Sequence, residues 1–183
     1  MTIGLKKTIA GTAAGLVGLL VVIPAAFWLG ASAVDRLFGL KPVIYRPTSQ
    51  ILCAASVLIG VFWISWAYSF LVFVGKGLPL EAFGRAVHPT SVLVTTGPYA
   101  YTRNPVIFGL LFVLLGAALL NGSISGLILV PVLGALLCLY LVVFEEKGLA
   151  RRFGVQYEDY RRNVSTLIPR PTPYVRRPVI SSD

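Results

Sequence analysis

Four long apolar stretches, separated by shorter polar segments, dominate the pattern of the chain. The first two, at 9–31 and 51–74, contain no charged residue, and about 20 residues suffice for a helix to cross the roughly 30 Å hydrocarbon core of a bilayer. The fourth, at 124–144, is similarly long, whereas the third, at 106–120, is short for a membrane span. The pattern predicts an all-α, polytopic integral membrane protein with about four transmembrane helices.

A tight turn is predicted around Gly122, between the last two stretches. So short a connection makes the third and fourth helices an antiparallel hairpin at the C-terminal end of the membrane region. Beyond it, Leu149, Phe153, Tyr157 and Tyr160 recur at helical spacing among charged residues. This spacing predicts an amphipathic helix along the cytoplasmic surface.

The positions of Lys and Arg predict the orientation in the membrane. With four spans, 13 of the 16 Lys and Arg residues fall on the side that holds both termini, and Arg36, Lys41 and Arg46 fall on the other. We therefore expect both termini in the cytoplasm, as in a bacterial-type inner membrane. The net charge of +9 then reflects topology and attraction to anionic lipid headgroups, and we expect no nucleic-acid partner.

Composition supports this class of protein. Hydrophobic residues make up 56% of the chain and charged residues only 13%, which leaves too little polar surface to coat a soluble globule. A soluble two-domain enzyme, a disordered protein and a disulfide scaffold are therefore excluded.

The start of the chain resembles a signal peptide, with Lys6 and Lys7 before an apolar run and Ala31-Ser32-Ala33 after it. The apolar run is longer than the roughly 7–15 residues of the hydrophobic part of such a peptide, so we expect the first apolar stretch to be a membrane span.

We expect a single membrane domain, 1–183, with three parts. Residues 1–91 hold two spans and a loop, residues 92–170 hold the hairpin and the amphipathic helix, and residues 171–183 form a flexible, proline-containing tail.

A first candidate site lies directly before the third stretch. Asn104 and Pro105 form a helix-start pair, since Asn caps free N–H groups and Pro loses nothing at the first helical position. The positive end of the helix dipole and the charge of Arg103 together suit a carboxylate or phosphate. The alternative is a capped helix whose Arg103 simply faces the headgroups.

A second candidate is the pair Glu145 and Glu146, at the predicted C-terminal end of the fourth helix. Two carboxylates there oppose the helix dipole unless a cation compensates them. The alternative is a pair of salt bridges to neighbouring basic residues, namely Lys147, Arg151 or Arg152. The hairpin brings both candidates to one membrane face, where Tyr99 and Tyr101 would form the walls of a pocket for a zwitterionic ligand.

These segments resemble a known family. The stretch GPYAYTRNPVIFG, the hydrophobic hairpin and EEKGLARRFGVQYEDYRRNVSTLIPR are similar to the isoprenylcysteine carboxyl methyltransferase family, which is related to the membrane phospholipid methyltransferases. The resemblance covers about residues 92 to 170. The chain departs from the family motif Arg-His-Pro-x-Tyr-x-Gly at Asn104, which replaces the His, and at Ile107, which replaces the Tyr.

The resemblance implies an integral-membrane methyltransferase that uses S-adenosylmethionine, with a lipophilic acceptor approaching from the bilayer. It implies catalytic roles for Arg103 and Glu145. The implied cofactor-binding residues are Tyr99, Tyr101, Arg103, Asn104, Pro105, Gly109, Glu145, Glu146, Tyr157, Tyr160, Leu167, Ile168 and Pro169.

Several reactions remain open at this point. The first hypothesis is carboxyl O-methylation of an isoprenylcysteine-like or other small hydrophobic substrate. The alternatives are N-methylation of a lipid amine, and a non-catalytic membrane protein that keeps the hairpin for packing or ligand binding. With His88 the only histidine and no paired cysteines, we expect no metal site. The acceptor and the oligomeric state stay undetermined.

Overall fold

A computed structural model describes residues 15–75, 81–82, 85–86 and 92–175. The helices within these ranges are α1 (Gly15–Leu37), α2 (Thr48–Phe73), α3 (Pro105–Leu120), α4 (Ile124–Phe153) and α5 (Val155–Asn163). A 3-10 turn, Gly97–Ala100, precedes α3, and two short antiparallel strands, β1 (Glu81–Ala82) and β2 (Arg85–Ala86), pair Glu81 with Ala86. Some sequence predictions rest on residues outside these described ranges, namely Lys6, Lys7, His88 and residues 176–183.

The predicted fold class is confirmed. Helices α1, α2 and α4 are long and apolar enough to cross a membrane, and α3 is a shorter apolar helix of 16 residues. α1 continues past the predicted end at Ala31 to Leu37, and Gly39 then adopts a φ of +62°. A left-handed backbone favours glycine, so the helix ends there rather than where the apolar stretch does.

Helix α4 corrects one prediction. It continues beyond 144 through a π-helical segment, Leu141–Glu145, and through Glu146–Phe153. Glu145 and Glu146 therefore lie inside a helix and not at its C-terminal end. The apolar pattern stops at Phe144, but the next residues are mostly strong helix formers that continue the backbone hydrogen bonding.

The predicted amphipathic helix is also divided. Gly154 has a φ of +54° and separates the end of α4 from α5. Because Leu149 and Phe153 belong to α4 while Tyr157 and Tyr160 belong to α5, their regular spacing does not describe one continuous helix.

The chain forms two compact units. The first consists of Met1–Ser65 and Val106–Leu137, and the second of Trp66–Pro105 and Cys138–Asp183.

Close packing of α2 against α3 characterises the first unit. A Cβ atom added at Gly60 would lie 2.5 Å from the carbonyl oxygen of Gly109, and one at Gly109 would lie 2.7 Å from that of Gly60. Ser56 Oγ donates to the Phe112 carbonyl at 2.7 Å, so a polar contact reinforces the same interface. Small residues permit such backbone contact between membrane helices.

The predicted hairpin turn is present in the first unit. Gly122 has a φ of +60° and its N–H bonds to the Leu119 carbonyl, while the Ser123 N–H bonds to the Ala118 carbonyl. This pair of hydrogen bonds is a Schellman motif, in which a left-handed glycine satisfies the last carbonyls of a helix. The turn therefore satisfies the carbonyls of Ala118 and Leu119 at the end of α3 before the chain enters α4.

Candidate functional site

The candidate site lies in the second unit, where the segment 164–174, here called the C-terminal strap, runs beside the segment before α3. Thr102 and Ser165 form a parallel bridge. Three further backbone hydrogen bonds join the segments: Arg103 N to Ser165 O at 2.9 Å, Arg170 N to Tyr101 O at 2.9 Å, and Tyr174 N to Ala100 O at 2.8 Å. The strap thus fixes the backbone from which the Arg103 side chain projects.

A buried ion pair forms the centre of the site. Arg103 Nη1 lies 2.8 Å from Glu146 Oε1, and the two side chains are 9% and 3% exposed. Arg161 Nε lies 3.2 Å from the other oxygen, Oε2, but Arg161 is 45% exposed. Glu146 therefore bridges a buried and a half-exposed arginine, neither of which is among the neighbouring basic residues considered from the sequence.

The ion pair leaves hydrogen-bonding capacity unused. Within the described part of the chain, Glu146 Oε1 and Oε2 and Arg103 Nε and Nη1 are buried and make no hydrogen bond with good geometry. The 2.8 Å approach is thus a charge contact whose angles do not fit a hydrogen bond. Buried polar groups are nearly always hydrogen-bonded, so these atoms indicate a place for a polar ligand.

Thr166 of the strap holds the two motif residues before α3. Arg103 Nη2 donates to Thr166 Oγ1, and Asn104 Nδ2 donates to the Thr166 carbonyl at 3.0 Å. Thr102 Oγ1 donates to the Leu167 carbonyl at 2.9 Å. Asn104, where the related family has His, therefore ties the start of α3 to the strap through its amide.

Buried tyrosines surround the ion pair. Burial raises the pKa of Tyr157 to about 12, and the carboxylate of Glu146 acts in the same direction while Arg103 opposes it. Burial likewise raises the pKa of Tyr160 and of Tyr99. All three phenols are therefore neutral near pH 7 and serve as hydrogen-bonding groups rather than as bases.

Most of the predicted site residues converge in this unit. Tyr160 OH donates to the Tyr99 carbonyl at 2.7 Å, and the charge of Glu145 contributes to the raised pKa of Tyr99 and of Tyr157. The ring of Tyr101 lies 6.0 Å from that of Trp66. Pro105 is fully buried at the start of α3, as the Asn-Pro pair predicts.

Other predicted residues are placed differently. Gly109 belongs to the first unit, where it contacts Gly60 and Ile64. In the strap, Ile168 is exposed, although its carbonyl accepts a hydrogen bond from Ser165 Oγ, and Pro169 is half-buried. The cofactor contacts proposed for these residues stay predictions.

Sequence reasoning missed Arg161, Thr102, Thr166 and Tyr174. Tyr174 lies in the region predicted as a flexible tail, yet its OH donates to Asp159 Oδ2 at 2.5 Å and its ring lies 5.6 Å from that of Tyr160. No spacing in the sequence indicates these contacts, because the break at Gly154 and the strap are set by backbone geometry rather than by hydrophobic period. The described residues contain no cluster of three potential metal ligands.

Tyr160→Phe is expected to destabilise the protein by about 1–3 kcal/mol, because it leaves the partly buried Tyr99 carbonyl without its donor. Thermal unfolding in detergent measures the effect. Tyr45→Phe, at an exposed position, is the matched control and should leave the unfolding midpoint unchanged. Equal midpoints for Tyr160→Phe and the unmodified protein would contradict a stabilising role for this hydrogen bond.

The fold and site define an all-α membrane protein with a buried mixed-charge centre, and comparison with known proteins identifies its family. The family model described as phospholipid methyltransferase matches residues 48–156, which is more than half of the chain. The chain therefore belongs to the phospholipid methyltransferase family, which confirms the resemblance drawn from the motifs.

The chain is also similar to methanethiol S-methyltransferase 2 of Bradyrhizobium diazoefficiens. The two are 29% identical over 125 residues, covering 64% of this chain and 47% of the relative. The chain thus spans about half the length of the curated relative that it matches. No solved structure matches it.

Proposed function

We propose that this protein is an integral-membrane methyltransferase that transfers the methyl group of S-adenosylmethionine to a lipophilic acceptor. The observation that carries the proposal is Glu146, a buried carboxylate whose oxygens face Arg103 and Arg161 but make no hydrogen bond of good geometry. Membership of the phospholipid methyltransferase family supports the same reaction class.

The residues present fit S-adenosylmethionine. Its methionine end carries a carboxylate and an ammonium, and its ribose carries hydroxyl groups. Arg103 would bind the carboxylate, and Glu146 would accept hydrogen bonds from the ammonium or the hydroxyls. Tyr157 and Tyr160, with Leu167 of the strap, would enclose the ligand.

When bound, S-adenosylmethionine supplies a methyl group that is already activated by the positive sulfur. The protein must therefore mainly align the acceptor with this methyl group and exclude water. A carboxylate acceptor needs no base, whereas a thiol or an ammonium must lose a proton. The buried tyrosines are poorly suited to that step because their pKa values are raised, so we assign it to Glu145.

Three acceptor classes follow from different observations. The resemblance to the isoprenylcysteine family favours a lipophilic carboxylate, and the family model favours a lipid amine. The relative from Bradyrhizobium is named for S-methylation of methanethiol, so a small thiol is the third candidate acceptor.

We place the site on the cytoplasmic side of the membrane, with both termini in the cytoplasm, because of the distribution of Lys and Arg along the chain.

Methyl-labelled S-adenosylmethionine tests the proposal directly. Membranes containing the protein, and matched membranes lacking it, are incubated with the labelled compound and with a prenylcysteine, phosphatidylethanolamine or an alkanethiol. We expect label in one acceptor only when the protein is present. If neither these acceptors nor any extracted component gains label above the control membranes, the protein is non-catalytic and the proposal is wrong.

A further inference from the structure

A polar cavity lies entirely within the first unit. It has a volume of about 590 Å³ and is formed by the end of α1, the loop at 38–47 and the ends of α2 and α3. Its lining includes the apolar side chains of Trp28, Leu29 and Leu120 and the two basic side chains of Arg36 and Arg46. A volume of roughly 300–1,000 Å³ is typical of small-molecule sites.

The negative charge at this cavity is already engaged. Asp35 Oδ1 accepts a hydrogen bond from the Ser125 N–H at 3.0 Å, in the first turn of α4. Ser123 Oγ accepts from the Gly126 N–H at 2.9 Å in the same turn. The carboxylate therefore faces the positive end of the α4 dipole, which stabilises it there.

The two arginines lack such a partner. Arg36 Nε donates to the Ser32 carbonyl at 3.2 Å, a neutral group. Among the residues that the structure describes, no carboxylate pairs with Arg36 or Arg46. The cavity thus combines two guanidinium groups that form no ion pair within the described residues, the Asp35 carboxylate held by α4, and an apolar wall of Trp28, Leu29 and Leu120. It lies at the ends of helices that are long and apolar enough to cross a membrane.

We propose that this cavity binds one anionic phospholipid. The phosphate would lie between Arg36 and Arg46, and an acyl chain would lie along Leu29 and Trp28. Guanidinium groups bind phosphate through paired hydrogen bonds, so the two arginines suit the phosphate of a lipid headgroup. The apolar wall favours a lipid over a soluble phosphate, since a soluble ion would leave that wall uncovered.

Lipid binding to the full chain in detergent tests the proposal, with affinities measured by native mass spectrometry. Phosphatidylglycerol is compared with zwitterionic phosphatidylcholine of the same chain length and with soluble glycerol phosphate. Both lipids carry the phosphate, but each arginine repels the choline cation of phosphatidylcholine, which weakens binding by roughly fivefold per arginine at a separation of about 4 Å in water. We therefore expect phosphatidylglycerol to bind about 30-fold more tightly than phosphatidylcholine.

Arg36→Gln combined with Arg46→Gln should abolish this preference. Lys41→Gln is the matched control, because Lys41 lies in the same loop and carries the same charge but does not line the cavity. We expect Lys41→Gln to change the preference by less than about twofold. A parallel unfolding scan establishes that both variants fold.

Three results would overturn the proposal. A folded double variant that keeps the preference would show that the arginines do not bind the lipid. An equal loss in Lys41→Gln would show that general surface charge is responsible. Displacement of the lipid by glycerol phosphate at equal concentration would show a site for soluble phosphate. None of these readouts depends on methyl transfer.

Discussion

Replacing Arg103 with Met and Glu146 with Leu in one variant is expected to abolish S-adenosylmethionine binding while leaving the protein folded. Removing Glu146 alone leaves Arg103 buried without a carboxylate, which typically costs about 3–5 kcal/mol. Removing Arg103 alone leaves Glu146 with only the half-exposed Arg161, so both single variants risk unfolding. Replacing a buried pair with apolar side chains of similar size is often neutral or stabilising. The double variant therefore separates ligand binding from stability.

The expected loss of affinity is large. Hydrogen bonds to charged groups contribute about 1.5–3 kcal/mol each, so losing one to each side chain should weaken binding at least about 100-fold. Calorimetry of the purified protein with S-adenosylmethionine measures this change.

The matched control is Glu158→Leu combined with Arg162→Met, which removes one charge of each sign from a half-exposed and an exposed position on α5; Glu158 loses only its 3.8 Å contact with Arg161. We expect this control to bind within about twofold of the unmodified protein, since exposed ion pairs contribute little. A folded Arg103→Met, Glu146→Leu variant with unchanged affinity would refute the proposed ligand site and, with it, the role of Glu146 in the proposed function.

Gly109→Ala is expected to destabilise the first unit, although alanine normally favours a helix. Its Cβ would lie 2.7 Å from the Gly60 carbonyl oxygen and 2.8 Å from Ile64 Cγ1. Backbone cannot move aside as a flexible side chain can, so α2 and α3 must separate. Overpacking of this kind typically costs about 1–3 kcal/mol, and Gly109→Val should cost more. The unfolding midpoint in detergent measures the effect.

Gly148→Ala is the control, because Gly148 also lies within a helix but no atom lies within 4 Å of its added Cβ. There we expect stabilisation by about 0.5–1 kcal/mol from helix propensity alone. Measuring both the unfolding midpoint and the S-adenosylmethionine affinity of Gly109→Ala also tests the cofactor contact predicted for Gly109. Lost affinity with an unchanged unfolding midpoint would favour that contact and contradict the packing role.

The elements with a strong local signal were predictable from the sequence. The apolar stretches predicted α2, α3 and the membrane-spanning part of α4, and Gly122 predicted the hairpin turn. The Asn104-Pro105 pair located the start of α3. Each of these signals reflects either the favourable transfer of apolar side chains from water to lipid or a local backbone conformation. Neighbouring residues in the chain are therefore enough to carry it.

The position of Glu146 was not predictable in the same way. The π-helical segment Leu141–Glu145 adds a residue to the turn, which rotates the side chains after it by about 100° relative to a regular helix. Such segments often occur at functional sites. No hydrophobic pattern marks the insertion, so the face on which Glu146 lies could not be read from residue spacing.

By itself, the sequence determined the membrane class, the main helices and the few charged residues from which a site could be built, because these follow from hydrophobicity and charge along the chain. Only the tertiary structure decided that Glu146 lies between Arg103 and Arg161, and that Thr166 in the strap holds Arg103 and Asn104. These partners are 15 to 63 residues apart in the chain. Which charges meet depends on the break at Gly154, a left-handed glycine that the hydrophobic pattern does not mark, and on the backbone bonds of the strap, which are set by packing between segments far apart in the chain.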